Sequence, residues 1–324
     1  MTTARAENAT SEITLRWMDE SDIPIVARFI NECAELEGNV VNTTSPEEML
    51  RWYRHPLNRS RYLLALLKAE DGGEEILAGE ADYGPTPDNR HAWAWMHVHP
   101  AYRLRGIGGA LYGGIVRYAA ESKGPAATFT PNKQATLLIE FLERRGYTTE
   151  RYFWDMQLPA DVEVDEKPVL PPGFSVRTFV PGQDEEVFMQ VRNVSFAEHY
   201  GSSQRTPEEI REMTTQPNFR PEGLFFAFDG DKVAGFCLTA IHPDECERRG
   251  EGVGHIDLLG TVPEARGRGV GRALLLTGIE YLRREVPIVE LDVEGKNSSA
   301  LALYKSVGFR EHKAWANMVG GLRG

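Results

Sequence analysis

Cysteine is scarce in this chain: three residues among 324 (Cys33, Cys237 and Cys246), with no CxxC spacing between any of them. An odd, scattered set excludes a disulfide framework and a cysteine-based metal site, and leads us to expect a reducing, cytoplasmic setting with no metal. No apolar run approaches the ~18–20 residues that a spanning helix needs, so no membrane partner is expected. The start, Met1–Met18, lacks a basic segment followed by an apolar core, so no secretory leader is expected there. Basic residues are in deficit, 36 Lys and Arg against 48 Asp and Glu, for a formal net charge of −12. That excludes general binding to nucleic acid, where Lys and Arg must meet phosphates. It favours encounter with cationic small molecules or peptides by long-range attraction, screened beyond ~8 Å, unless the acidity only serves solubility.

What is present is a repeat. Tyr102–Leu111 reads YRLRGIGGAL and Ala265–Leu274 reads ARGRGVGRAL, both Arg-x-x-Gly-x-Gly running into a helix-forming stretch. Leu158–Phe174, LPADVEVDEKPVLPPGF, has four prolines, an acidic run and no apolar periodicity, which marks a linker. At 324 residues two domains are the default, and the order of elements recurs on either side of that linker. The second half reads as strand FSVRTFV, helices DEEVFMQVRNVSFAEH and TPEEIREMTTQ, and strands around a turn at Asp229–Asp231. Strand GHIDLLGTV, the glycine turn, helix GRALLLTGIEYLRREV, strand IVELDV, helix NSSALALYKSVGF and strand AWANMV follow. The first half repeats the order from EITLRWM to YFWDMQL. The expectation is an α/β (α+β) fold in two tandem domains, 1–158 and 174–324 with a linker at 159–173, each a mixed twisted sheet flanked by helices.

A strand, a glycine turn and a helix start hold phosphate well. The first helical turn leaves N–H groups unpartnered, the helix dipole adds positive potential, and glycines let the backbone approach an anion. The turn is neither a Walker loop nor a GxGxxG dinucleotide turn.

In this context LGTVPEARGRGVGRALL and NSSALALYKSVGF resemble the two signature segments of the GNAT superfamily of acetyl-CoA-dependent N-acetyltransferases. HVHPAYRLRGIGGALY and FLERRGY resemble them a second time. The tandem arrangement is similar to that of mycothiol-synthase-like acetyltransferases. The resemblance implies that the coenzyme A pyrophosphate sits on the amides of Arg266, Gly267, Arg268, Gly269, Val270, Gly271 and Arg272. The pantetheine arm pairs with the backbone of Leu259, Gly260 and Thr261, where an N–H also polarises the thioester carbonyl. Asn297 contacts pantetheine or caps its helix. Tyr304 is the general acid or a core aromatic. In the first half Met96, Val98, Arg103, Gly106 and Gly108 occupy matching positions.

Acetyl transfer to an amine needs a base, an oxyanion site and an acid for the leaving thiolate. By strand alternation His255, Asp257, Leu259 and Thr261 share a face. His255 stands four residues before Leu259, where several members of the superfamily place a glutamate base; Asp257, Glu198 and His199 are alternatives. Registering Met96 on Leu259 places the base position of the first half at Ala92, and Gly146 on Gly308 places its acid position at Leu142. The second half is thus expected to be active and the first catalytically degenerate. Glu198, His199 and Tyr200 are expected to shape the acceptor site, with Glu208 and Glu209 adding acidity at its entrance. The expected activity is acetyl transfer from acetyl-CoA to a primary amine of a small molecule or peptide. The reading from another class is a non-catalytic acyl-CoA binder or sensor, which has no use for Tyr304 with His255 or Asp257.

Overall fold

The computed structural model describes residues 12–37, 44–55, 58–68, 75–86, 89–199, 202–216 and 218–320. They form two compact units, one of the described residues up to Arg151 and from Ala316 on, the other Tyr152–Trp315.

The first unit contains β1 (Ile13–Trp17), α1 (Ile23–Leu36), α2 (Pro46–Tyr53), β2 (Arg61–Leu67), β3 (Ile76–Pro85), β4 (Ala92–Val98), α3 (Ile107–Glu121), β5 (Ala127–Phe129) and α4 (Thr136–Glu143). β6 (Tyr147–Leu158) leads out of it. In the second unit come β7 (Phe174–Thr178), α5 (Glu185–Ser195), α6 (Pro207–Thr214), β8 (Leu224–Asp229), β9 (Lys232–Ile241), α7 (Pro243–Arg249), β10 (Val253–Thr261), α8 (Val270–Leu282), β11 (Ile288–Glu294) and α9 (Ser298–Val307). β12 (Arg310–Gly320) ends the described chain.

Within each unit the described strands pair antiparallel apart from one parallel pair, β4 with β5 in the first and β10 with β11 in the second. The first unit orders its strands β1-β2-β3-β4-β5 and adds the end of β12, where Met318 pairs Phe129. The second orders β7-β8-β9-β10-β11 and adds the end of β6, where Phe153–Leu158 pair Val289–Glu294. The boundary between units therefore falls inside β6 and β12, not in the linker. Alternation identifies a strand but not the neighbour that completes its hydrogen bonds.

The linker is also not free chain. Val162 and Val164 pack against the core of the second unit, and Arg283, which caps the end of α8, donates to the carbonyls of Pro159 and Leu158 at 2.7 and 3.2 Å.

Local sequence explains the recurrence. α2 and α6 both open on Ser/Thr-Pro-Glu-Glu: Ser45 and Thr206 accept from the amides of Glu48 and Glu209, whose carboxylates accept in return. One face of the second sheet packs on α8 and α9 through Ile256, Leu274, Val289 and Tyr304; the other packs on α5 and α6 through Phe188, Phe226 and Phe236. In the first unit Ile107, Leu111 and Ile115 of α3 cover one face, and Val26, Phe29 and Cys33 of α1 the other.

Candidate active site

The expected splay is present. β10 pairs β11 only from Val253↔Ile288 to His255↔Glu290, yet stays paired with β9 to Thr261↔Gly235. From Asp257 onward the β11 side of β10 is an open backbone edge. β4 parts from β5 in the same way after Ala94↔Phe129.

The glycine turn follows. Gly267 (φ 72°) and Gly269 (φ 87°) take left-handed conformations, and a side chain at either would meet no atom within 4 Å. Among the described residues, the amides from Gly267 to Arg272 take no backbone partner. Arg266 closes the turn, donating Nε to the Thr261 carbonyl at 3.4 Å and Nη2 to the Ser195 carbonyl at 3.3 Å. Beside Gly260 the Ser195 hydroxyl is buried without a partner among the described residues. Unpaired amides, open space and an orphaned hydroxyl fit a phosphate-bearing arm laid along this edge. Arg268 and Arg272 are engaged by Asp229 and Glu166, so the backbone supplies most of the free donors.

The first unit repeats the turn almost angle for angle: Gly106 has φ 87°, and Arg103 donates Nε to Val98 at 3.0 Å. Leu104, 93% exposed, takes φ 63° where the second unit has Gly267. A non-glycine residue there costs about 1 kcal/mol.

Two features correct the strand reading. The β9–β10 register slips between Ile256 and Leu258, so Asp257 is an extra residue in a β-bulge. His255 and Asp257 stay together on the face away from α8, but Leu259 packs toward α8, where Thr261 also lies beside Gly271. β4 has no such slip against β3. Counting from Val98↔Thr261, the first unit's equivalent of His255 is Trp93, not Ala92. Leu142, which the sequence registers on Tyr304, is fully buried, and neither Trp93 nor Leu142 carries a group that moves protons. Glu80 and His97, 3.0 Å apart, form a titratable pair in the first unit that the sequence did not signal.

Tyr304 projects from α9 with 7% exposure. Burial pushes its hydroxyl above the ordinary tyrosine value, with Cys237 adding to the effect. No hydrogen bond engages it among the described residues. Asn297 caps α9, its Oδ1 accepting from the Ala300 amide at 3.1 Å.

His255 is less free than a base should be. Its Nε2 lies 2.9 Å from Glu245 of α7, a helix absent from the sequence expectations. Burial pulls the imidazole down, but Glu245, Asp257 and Glu290 outweigh this and raise it. Arg249, also on α7, forks onto Glu290 at 2.8 and 3.0 Å and reaches Glu245 at 3.1 Å. Gln157 of β6 donates to Glu290 at 2.8 Å. Glu245, His255 and Glu290 have metal-like spacing, with donor atoms within 4.8 Å of one another, but Arg249 holds both carboxylates.

Asp257 is exposed at the bulge and bonded to nothing among the described residues. Loss of surrounding water raises its carboxyl above the ordinary value, against the pull of His255 and His242. Burial, with Asp292 and Glu290, pushes Asp155 up to about 7.

In the acceptor segment, Ser195 and Phe196 pack on Gly260, and Glu198 and His199 follow in the next turn. Tyr200 lies outside the described residues. Glu209 and Glu208 are not at liberty: Glu209 belongs to the α6 capping box and pairs Arg205, and Glu208 pairs Arg211.

A parted parallel strand pair, a glycine turn opening a helix and a second helix packed on the sheet define an acyltransferase fold, present twice; the second copy alone carries a buried tyrosine, Tyr304, on that last helix. The chain matches the acetyltransferase (GNAT) family over residues 26–147 and 191–309, and it belongs to that family. It is an acyltransferase with two tandem GNAT copies, of a family whose acetyl donor is acetyl-CoA. It is 34% identical over 255 residues to the mycothiol acetyltransferase of Thermomonospora curvata, covering 78% of this chain and 80% of that protein. With the Thermobispora bispora enzyme of the same name the identity is 36% over 220 residues, 65% and 70% of the two chains. A GCN5-related N-acetyltransferase from Sphaerobacter thermophilus has a similar structure, with TM-score 0.74 at 26% identity over 96% of this chain and 97% of that one. A tandem GNAT protein from the clavulanic acid biosynthesis pathway shares the fold with TM-score 0.74 at 18% identity, covering 96% and 98%. No helix among the described residues is long and apolar enough to cross a membrane.

Proposed function

We propose that the second unit transfers an acetyl group from acetyl-CoA to the primary amine of a small molecule, with Asp257 as base and Tyr304 as acid. The observation that carries this reading is that both groups are in the unit with the parted β10–β11 pair, and both lack a hydrogen-bond partner among the described residues. Bound acetyl-CoA supplies an electrophilic thioester carbonyl. The amides of Gly267–Arg272 hold its phosphates, the open β10 edge at Leu259–Thr261 takes its arm, and a main-chain N–H there polarises the carbonyl. Asp257 accepts the proton of the incoming ammonium. Tyr304, kept protonated by its surroundings, gives its proton to the departing sulfur. His255 is a positioning residue, holding charge beside Asp257 through Glu245. The named relatives, mycothiol acetyltransferases, also support a small-molecule acceptor.

The pH dependence tests the base. Because Asp257 lies above the ordinary aspartate value, kcat/KM rises along an acidic limb displaced upward by the same amount. Asp257→Asn removes the limb. His255→Gln takes a positive neighbour away from Asp257 and moves the limb to higher pH. A limb that survives Asp257→Asn and vanishes in His255→Gln makes the histidine the base.

The asymmetry of the units has its own test. A side chain at Gly271 meets Thr261 at an ordinary 3.5 Å, and one at Gly108 meets Val98 at 3.9 Å, so both sites accept a substitution. Gly271→Glu sets a carboxylate against the phosphates and weakens acetyl-CoA by about 100-fold in the KM of thiol release. Gly108→Glu leaves turnover within about twofold. The reverse result would place the active site in the first unit.

A further inference from the structure

We infer that the acceptor in this site carries a second ammonium group, held by Asp155 and Asp292 while the reacting amine is presented at Asp257; this rests on the transfer reading above. The face of the sheet away from α8 carries two polar rows. In the first, His255, Glu290 and Gln157 are neighbours by register on β10, β11 and β6. That row is neutralised within the protein, by Arg249 on Glu290 and Glu245 and by Glu245 on His255.

One step along the strands is the second row: Asp257 at the bulge of β10, then Asp292 directly opposite Asp155. Opposed residues of antiparallel strands have Cβ atoms about 4.5–5.5 Å apart, and like charges there repel. Asp155 is 5% exposed and takes no hydrogen bond or ion pair among the described residues. A largely buried carboxylate with no donor from the protein is costly unless its oxygens reach water or a ligand, and those of Asp155 are not among the fully buried unpartnered atoms. Lys313 and His255 are the cations that draw Asp155 down, against burial and the neighbouring carboxylates of Asp292 and Glu290. The row thus sets three carboxylates, Asp155, Asp292 and Asp257, against the one ammonium of Lys313.

A single small ion is the wrong shape for it. Among the described residues the metal-spaced group is Glu245, His255 and Glu290 in the other row, already occupied by Arg249. From β6 to β10 the row spans two strand spacings, about 10 Å, and widens where β10 parts from β11. Two ammonium groups joined by a short spacer fit that length, with one end at Asp155 and Asp292 and the other at Asp257.

The experiment compares butylamine and pentylamine with putrescine, cadaverine and spermidine, following thiol release from acetyl-CoA, and measures spermidine binding to the acetyl-CoA-free protein by calorimetry. The expected result is a kcat/KM at least ~30-fold higher for the best diamine than for the monoamine of equal length. Asp292→Asn and Asp155→Asn each reduce that ratio to within about threefold of one and leave monoamine turnover in place. Asp292 is exposed, so its variant remains informative should Asp155→Asn not fold. Equal use of monoamines and diamines by the unaltered protein overturns the inference and leaves the transfer reading standing. Spermidine binding that Asp292→Asn abolishes, with no thiol release from any amine, upholds the dication site and overturns the transfer reading. Tighter binding of magnesium or calcium ion than of spermidine, lost in the same variant, makes the row a metal site and overturns the inference.

Discussion

Tyr304→Phe lowers kcat by about 10²–10⁴ and leaves acetyl-CoA affinity within twofold of the parent. The ring fills a tight place: it packs 5.9 Å from Phe309, centroid to centroid, and is 93% buried, so the phenyl group must stay. The hydroxyl has no partner among the described residues, and its removal breaks no internal hydrogen bond. Fold and affinity are therefore preserved while the departing thiolate loses its proton source. Because the hydroxyl lies above the ordinary tyrosine value, it stays protonated through the alkaline range, and the parent enzyme shows no basic limb near neutrality. A Phe variant with parental kcat would make Tyr304 a core aromatic and leave protonation to water.

Arg249→Leu destabilises the second unit by about 3–5 kcal/mol, read as a lowered urea midpoint at unchanged slope. The Arg249 side chain is 4% exposed and Glu290 2%, so the substitution strands a buried carboxylate with Gln157 as its remaining donor. Arg249→Leu combined with Glu290→Leu recovers much of that loss, since two apolar groups replace a pair whose desolvation offsets most of its attraction. The acid side of the stability profile reports the same network. Burial works to raise Glu245, but His255 and Arg249 hold it down at about 2. A depressed carboxylate stabilises the fold above its unfolded value of about 4.3. That contribution is lost as pH falls from there through about 2, and the loss is smaller in the Arg249 variant. Equal stability of parent and Arg249→Leu would mean that water already screens these charges.

The parts of the site that local chemistry dictates were legible in the sequence. Arg-x-x-Gly-x-Gly before a helix announces the turn, and the apolar spacing of Ala300, Leu303, Tyr304 and Val307 places the tyrosine on α9. The bulge at Asp257 was not legible, because one extra residue changes no composition and shows only against the partner strand. For that reason alternation carried Leu259 and Thr261 to the wrong face, and counting four residues back from Met96 carried the equivalent of His255 to Ala92 in place of Trp93. α7 escaped notice as seven residues too short for periodicity, though Pro243 at its start, Glu245 four before Arg249, and Gly250 at its end (φ 66°) were a faint signal. Asp155 was hidden differently. It lies in a strand of the first repeat whose last residues complete the sheet of the second unit, and no pattern within a strand names its neighbour.

The handover inside β6 and β12 has a consequence for the history of such a chain. The segment that is repeated and the segment that folds are not the same length of sequence. Cut between the repeats, the second would keep α8, α9 and the glycine turn but leave β11 an open edge, and with it would go Asp155 and Gln157. The first repeat is thereby bound to its sister by more than tolerance. It carries Leu142 and Leu104 where the second repeat has Tyr304 and Gly267, and still its β6 completes the second sheet. A copy that supplies an edge to its neighbour has a structural reason to stay.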